Sequence, residues 1–416
     1  MQRNAYRVVI GADTFPPDVN GAARFAHRLA TGLAGRGHDV HVVAASPTGP
    51  AAVEHTDGIT VHRLASYRTG VHPTFRVCPP WLAAAATRGL LRELSPDLVH
   101  VQAHFSVGRG LAKAASQAGV PLVATNHFMP ENLFGYAKVP GWLRTGAARW
   151  AWRDLVRVYR KADAVTAPTP RAVQLLHDNG LPPVATPISC GIDLDRYAAA
   201  RTGYRRPELA GRAEPAGPGR RGPEPSGRGE HATVLFVGRL DEEKRVDELL
   251  RAMALLPPWV RAEIVGDGAY RQTWQRLAAD LRLTDRVTFH GYVDDAALLE
   301  AYARCDVFCM PGIAELQSLV TLEAMAAGKP VVAADAMALP HLVRPGENGY
   351  LFPPGDVAAL ADRLIEVLAD PGVTARMGVA SRRIVASHDL AATLDAYEDV
   401  YERVTGRIRV PLPVAA

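Results

Sequence analysis

The chain has 416 residues, of which 48% are apolar and 22% charged, with a net charge of +4 at neutral pH. That is enough chain for two domains of ordinary size, each with its own core. So small a positive balance argues against a general nucleic-acid binder, and no apolar run reaches the roughly 18 residues that a bilayer-spanning helix needs.

The first half alternates strand and helix signals. Residues 7–12 read as a strand, 22–36 as a helix ending at Gly37, and 40–45 as the next strand. Residues 98–102 and 122–125 are further apolar strands with a helix over 108–119 between them, and 164–167 follows a long helix. The N-terminus leads into the first strand, which is not the pattern of a secretory leader. Alternation of this kind predicts parallel βαβ units, in which ligands bind outside the carboxyl ends of the strands. Gly21, between the first strand and first helix, lets backbone approach a ligand, but a lone turn of this sort also serves purely structural ends. It is not a G-x-G-x-x-G fingerprint, so a nicotinamide role is unsupported. His127 follows a strand end at Thr125, where a structural histidine and a cleft-facing one are equally open.

Arg149, Arg153, Arg157 and Arg160 recur at helical spacing and fall within about 80° of one another on a helix. Ala151, Trp152, Leu155, Val158 and Tyr159 take the opposite side, and Trp142, Trp150, Lys138 and Arg144 lie close by. Two readings stand: an anionic lipid surface, or an amphipathic helix whose arginines are merely solvated. Asp193 and Asp195 form a D-x-D pattern, which here reads as a turn or cap rather than a metal site. Residues 199–230 lose apolar periodicity to Arg, Gly, Pro and Glu and read as a flexible insert.

The second half restarts with a strand over 233–238, followed by strands at 262–266, 287–290, 307–310 and 331–334. Cys305 and Cys309 sit in or beside an apolar strand, and the four cysteines, with Cys78 and Cys190, lack zinc-like spacing; buried thiols in a reducing cytoplasm are the expectation. The last helix, near 390–404, should pack through Tyr397 and Tyr401. Arg239 and Lys244 lie just past the first strand of this half, where a bidentate fork and a point charge suit a diphosphate, or else form a solvated loop with Asp241 to Glu243. Glu315 and Glu323, with seven residues between them, straddle the start of a short helix that should be capped by Ser318 and stop at Gly328. Free amides of its first turn favour a phosphate.

With these residues in view, the chain resembles the retaining glycosyltransferases of family 4, which have the GT-B fold. The resemblance rests on the Glu315-to-Glu323 spacing with the run from Leu322 to Val332, on Gly238-Arg239-Leu240 with Lys244, and on Arg36-Gly37-His38-Asp39-Val40. It covers nearly the whole chain outside 199–230. It implies that Arg239 and Lys244 bind the donor diphosphate, that Glu323 holds the ribose, and that Glu315 contacts the sugar. It further implies that backbone from Gln317 through Ser318 and Leu319 to Val320 lines sugar and phosphate, and that Tyr292 and Val293 lie against the base. Gly21 would approach the phosphate and His127 the reacting centre. The chain departs from the family at Ser318 and Ala22, where glycine is common, and in the turn over 335–341.

The expected fold is thus α/β, with two doubly wound Rossmann-like domains facing across a cleft. The expected division is 1–198 for an acceptor-side domain, 199–230 for the insert, 231–385 for the nucleotide-sugar domain, and 386–416 for a terminal helix and tail returning to the first domain. The expected enzyme is a retaining hexosyltransferase with a nucleotide-diphosphate sugar such as UDP-glucose or GDP-mannose as co-substrate and no cofactor or metal. Its catalytic set would be Arg239, Lys244, His127 and Glu315. The preferred acceptor is a membrane glycolipid, on the strength of Trp142 and the arginine stripe, with cytoplasmic placement at the inner face of the membrane. Two other readings are a small soluble acceptor and a non-catalytic sugar-nucleotide binder.

Overall fold

Short runs of Val, Ile, Leu and Ala, buried on both faces, set the strands of two separate parallel sheets. The computed structural model describes residues 5–18, 20–68, 76–130, 140–197 and 231–406. It divides the chain into one unit of residues 1–191 plus the chain from Ala391 onward, and a second unit of Ile192–Leu390. Lys138, the whole insert 199–230 and the tail beyond Gly406 lie outside the described residues.

The first unit has strands β1 (Arg7–Ala12), β2 (Asp39–Ala45), β3 (Ala52–Thr56), β4 (Ile59–Leu64), β5 (Tyr67–Arg68), β6 (Arg76–Val77), β7 (Leu98–Val101), β8 (Leu122–Thr125), β9 (Ala164–Ala167) and β10 (Ala185–Pro187). Eight of them form a sheet in the order β10-β9-β8-β7-β1-β2-β4-β3, parallel except for the edge strand β3; β5 and β6 pair separately as a small hairpin. Helices α1 (Gly21–Gly35), α2 (Pro80–Leu94), α3 (Ser106–Ala118), α4 (Gly141–Tyr159) and α5 (Pro170–Asp178) connect them. Val8, Val9 and Ile10 of the central strand are wholly buried. The chain runs from β1 to β2 on one side and returns to β7 on the other, so the order reverses between β1 and β7.

The second unit has β11 (Ala232–Val237), β12 (Val260–Val265), β13 (Val287–Gly291), β14 (Val307–Met310), β15 (Val331–Ala334) and β16 (Gly349–Phe352), all parallel in the order β13-β12-β11-β14-β15-β16. Its helices are α6 (Val246–Leu255), α7 (Arg271–Asp280), α8 (Asp295–Arg304), α9 (Leu319–Ala326), α10 (Leu339–Leu342), α11 (Val357–Leu368) and α12 (Pro371–Val385). Here the order reverses between β11 and β14. Gly328 ends α9 with φ +73°, the left-handed C′ position the sequence suggests, and a Cβ there would meet the Arg382 guanidinium at 1.8 Å.

The terminal helix, Leu390–Thr405, packs on the first unit. Tyr397 and Tyr401 are fully buried on its inner face. The Tyr401 hydroxyl lies 2.7 Å from His100 Nδ1, and Tyr397 lies 3.4 Å from the hydroxyls of Thr125 and Thr166. The family-like Arg36-Gly37-His38 run has a structural task. Arg36 donates to Asp395 (2.7 Å), Glu398 (2.8 Å) and the Ala391 carbonyl (2.9 Å), while His38 Nε2 lies 3.0 Å from Glu398. Lys329 of the other motif is likewise structural, donating to the carbonyls of Ala303 (2.8 Å) and Cys305 (2.7 Å) at the end of α8.

Burial holds His100 neutral, with its pKa lowered from 6.5 to about 3. The unfolded chain therefore takes up this proton first, and stability present above pH 6.5 is lost as pH falls toward 3. Replacing His100 with Gln should lessen the acid slope of thermal stability by about one proton across that window. An unchanged slope in thermal melts at stepped pH would show that His100 is not held neutral.

Candidate active site

The loops after β11 and β14 leave the second sheet at its reversal point, where ligands bind in open α/β sheets. Arg239 and Lys244 are on the first loop and Glu315 on the second. The Ile313 amide donates to the Glu243 carbonyl at 3.0 Å, tying the two loops together. Lys244 Nζ then donates to Glu315 Oε1 across the gap. Both side chains are nearly enclosed, with 15% and 10% exposure. Gly312 makes room for this pair, because a Cβ there would sit 3.4 Å from Glu315 Oε1 and 3.5 Å from Lys244 Cδ. The Ala338 amide donates to the Glu315 carbonyl at 3.1 Å, so the turn after β15 braces the same loop.

Arg239 is more open, at 39% side-chain exposure, and lies 3.0 Å from Asp241 and 3.4 Å from Glu243. Burial raises the Glu243 carboxyl, and the neighbouring Lys244 ammonium partly offsets this. The acidic neighbours that made this loop ambiguous in the sequence are therefore counter-charges that hold its cations in place. Two cations lined up at a reversal point can take a diphosphate once it competes with these carboxylates.

Glu323 lies within α9 and is almost fully buried. Its Oε2 accepts from the Tyr302 hydroxyl at 3.0 Å, and Tyr302 also lies 3.2 Å from the Val320 carbonyl. Tyr302 was not legible as a site residue; it reads as one more apolar position of α8. Ser318 occupies the N-cap of α9, but its side chain does not cap the backbone. Its Oγ instead accepts from the Thr321 hydroxyl at 2.8 Å, because the serine is turned into the protein and is only 1% exposed. Leu319 is buried, Gln317 and Val320 half-buried, and Gln317 Nε2 lies 3.5 Å from His388. Tyr292, after β13, is 64% exposed and Val293 half-buried.

Gly21 and His127 belong to the first unit. Gly21 opens α1 next to Asn20, whose side chain accepts from the Ala23 amide at 2.8 Å. His127 Nε2 lies 2.9 Å from Gln102 Oε1 and Nδ1 lies 3.7 Å from Cys190 Sγ, with the ring against Phe25. Burial lowers its pKa to about 3. With Gln102 Oε1 as acceptor, Nε2 carries the proton, so His127 is a neutral ring bonded within the first unit. Burial pushes the Cys190 and Cys305 thiols up to about 12 and Cys78 to about 11, so they stay protonated.

Asp13, at the reversal point of the first sheet, was also missed. Its carboxylate accepts from the Val107 (2.9 Å) and Gly108 (3.2 Å) amides at the start of α3, and burial nonetheless raises its pKa to about 6. Asp193 Oδ1 accepts from the Arg196 amide at 3.1 Å, the cap that the D-x-D pattern suggested. On α4, Arg149, Arg153 and Arg157 are exposed while Trp152, Leu155, Val158 and Tyr159 are buried. Arg160 falls just past the helix and donates to the Gly180 carbonyl at 2.7 Å, so the stripe on the helix proper has three arginines.

The sequence model of Glycosyl transferases group 1 matches residues 223–384, and that of Glycosyltransferase Family 4 matches 19–196. A GDP-mannose-dependent alpha-mannosyltransferase of Mycolicibacterium smegmatis is 32% identical over 96% of this chain and 98% of its own. The chain belongs to the family 4 glycosyltransferases. A glycogen synthase of Mycobacterium tuberculosis is 30% identical over 98% of this chain and 97% of its own. A GDP-mannose-dependent alpha-(1-6)-phosphatidylinositol monomannoside mannosyltransferase of M. smegmatis is 30% identical over 90% of this chain and 92% of its own. Sucrose-phosphate synthase of Thermosynechococcus elongatus shares the fold, with a TM-score of 0.76 at 23% identity over 96% of this chain and 99% of its own. The two Rossmann-like domains are those of the GT-B type, and the protein is a glycosyltransferase that uses a nucleotide sugar.

The glycosyltransferase's Lys244–Glu315 pair generates a stability prediction. Removing one partner strands a nearly buried charge, which typically costs about 3 kcal/mol or more. Lys244→Met or Glu315→Gln alone should each destabilise the protein on that scale, and the double variant should cost clearly less than their sum. Additive costs in a denaturant-based double-mutant cycle would mean the pair is not coupled.

Proposed function

We propose that this enzyme transfers a mannosyl group from GDP-mannose, with retention of configuration, to a hydroxyl of a membrane lipid. The observation that carries the transfer chemistry is the gathering of Arg239 and Lys244 with Glu315 at the reversal point of the second sheet. As the anomeric bond breaks, negative charge grows on the departing diphosphate. Fixed cations aimed at that position stabilise it without reorganisation. Glu315 contacts the sugar and Glu323 the ribose. The acceptor attacks from the face the leaving group departs, which requires no carboxylate nucleophile. Arg239 and Lys244 supply the positive charge, so the reaction runs without a metal or other cofactor.

GDP-mannose is chosen because the two mannosyltransferase relatives are named for it. The lipid acceptor is supported by α4. Its first acid is Asp154, and before it stand exposed Arg144, Arg149 and Arg153 with Trp142 82% and Trp150 71% exposed. Exposed tryptophan beside arginine suits the boundary of an anionic bilayer. Among the described residues no helix is long and apolar enough to cross a membrane, so the association would be peripheral. A soluble acceptor is the second reading, favoured by the glycogen synthase relative.

Nucleotide release should be measured with GDP-mannose, UDP-glucose and UDP-galactose in the presence of phospholipid vesicles. GDP-mannose should be turned over fastest, and chelation with EDTA should leave the rate unchanged. Preference for a uridine donor, or loss of activity on chelation, would overturn those parts of the reading. Sedimentation with phosphatidylglycerol vesicles should carry the protein down, and Arg153→Glu/Arg157→Glu should cut the bound fraction several-fold, since each lysine or arginine near such a surface contributes about 1 kcal/mol. Equal sedimentation of the variant would leave α4 a solvated helix.

A further inference from the structure

Among the described residues, Asp57, Ser95, Arg245, Arg282 and Met337 are the non-glycine positions with a left-handed backbone, at φ between +44° and +57°. Four of them have a local cause. Asp57 and Gly58 form the two-residue turn that joins β3 to β4, where both residues need a positive φ. Ser95 and Arg282 close the ends of α2 and α7, and Arg245 closes the short turn Glu242–Lys244. Chains leaving a helix commonly turn left-handed there. Met337 ends no helix and closes no hairpin. It lies between β15 and α10 at φ +51°, where a long side chain is strained and glycine is not.

The backbone on both sides of Met337 is fixed. The Asp335 amide donates to the Phe352 carbonyl at 2.8 Å, and the Leu339 amide to the Ala336 carbonyl at 3.1 Å. Between them the Ala338 amide donates to the Glu315 carbonyl at 3.1 Å. The same turn meets the donor segment a second time. His341 sits edge to face against His388, with ring centroids 5.9 Å apart, and Gln317 Nε2 lies 3.5 Å from His388 Nδ1. Ala338 and Leu339 are buried and anchor the turn, whereas Met337 is half-buried. A glycine at 337 would satisfy every one of these backbone contacts. The strained methionine is therefore unexplained by the turn, and such outliers gather where a side chain has a task in the site. The loops after β11, β14 and β15 leave the carboxyl ends of adjacent strands, which is where ligands bind.

We propose that Met337 is a specificity-determining residue, its side chain forming an apolar wall of the donor-sugar pocket beside Glu315. Glu315 bonds hydroxyls of the sugar, and the thioether packs against its C–H surface. An epimer that turns a hydroxyl toward Met337 buries that group without a partner and is rejected. Methionine suits the task because it is unbranched and polarisable and so follows an irregular surface. Met337 has this role only if Glu315 contacts the sugar, so the assignment rests on the transferase reading.

Calorimetric titration with GDP-mannose, its 2-epimer GDP-glucose, and GDP tests the assignment. If the protein binds only uridine donors, UDP-glucose, UDP-galactose and UDP take their place. Wild type should prefer one epimer. Met337→Gly should lower that preference by about tenfold, the scale of apolar contacts in a sugar or side-chain pocket. Its affinity for the free nucleoside diphosphate should be unchanged, and its melting temperature equal or higher, because glycine relieves the left-handed strain. Met337→Ala should lower the preference in the same direction, and Met337→Leu, which keeps the volume, should restore it. An unchanged epimer preference in both Met337→Gly and Met337→Ala would overturn the proposal. So would an equal loss of affinity for the free diphosphate, which would make Met337 a support of the turn alone. Failure of wild type to bind any nucleotide sugar would instead overturn the transferase reading.

Discussion

A carboxylate spans the reversal point of each sheet. In a doubly wound sheet the loops from two neighbouring strands part there, and something must hold the gap at a fixed width. In the second unit Glu315 reaches Lys244 across the gap between β11 and β14. In the first, Asp13 reaches the amides of Val107 and Gly108 across the gap between β1 and β7. Both are internal anions placed where an external ligand has reason to bind. The difference is the counter-group: an ammonium in one unit and a helix terminus in the other.

Around these two points the rest of the chain acts as support. Asp241 and Glu243 orient Arg239, Tyr302 holds Glu323, and the turn after β15 braces the Glu315 backbone. The terminal helix is locked to the first unit by Arg36 and His38 at its Glu398 face and by His100 at Tyr401. Motif residues that identify the family are therefore of two kinds. Arg239, Lys244 and Glu315 lie at one reversal point, with Glu323 in the helix that follows, while Arg36, His38 and Lys329 fasten helices in place.

Much of the fold was legible because buried parallel strands leave an unmistakable record. Val8–Ile10 and the run over 331–334 read as strands from their apolar side chains alone, and Gly328 marks a helix end for steric reasons. What was not legible depends on groups far apart in the chain. Glu315 and Lys244 are separated by 71 positions, and nothing local to either predicts the pair. Asp13 looks like any loop acid until α3 is placed against it. Arg68 and Arg76 oppose one another only because two strands of two residues each pair, too short for any periodicity to appear. Ser318 misled for the opposite reason: its position is that of a cap, but burial turned its hydroxyl to Thr321.

The central claim is that Lys244 leaves Glu315 to bind the diphosphate of the donor. Calorimetric titration of GDP-mannose into wild type and Lys244→Ala tests it most directly. The account predicts that the variant, if folded, binds at least tenfold more weakly, the scale of one lost hydrogen bond to a charged group. Equal affinity in the two proteins would contradict it.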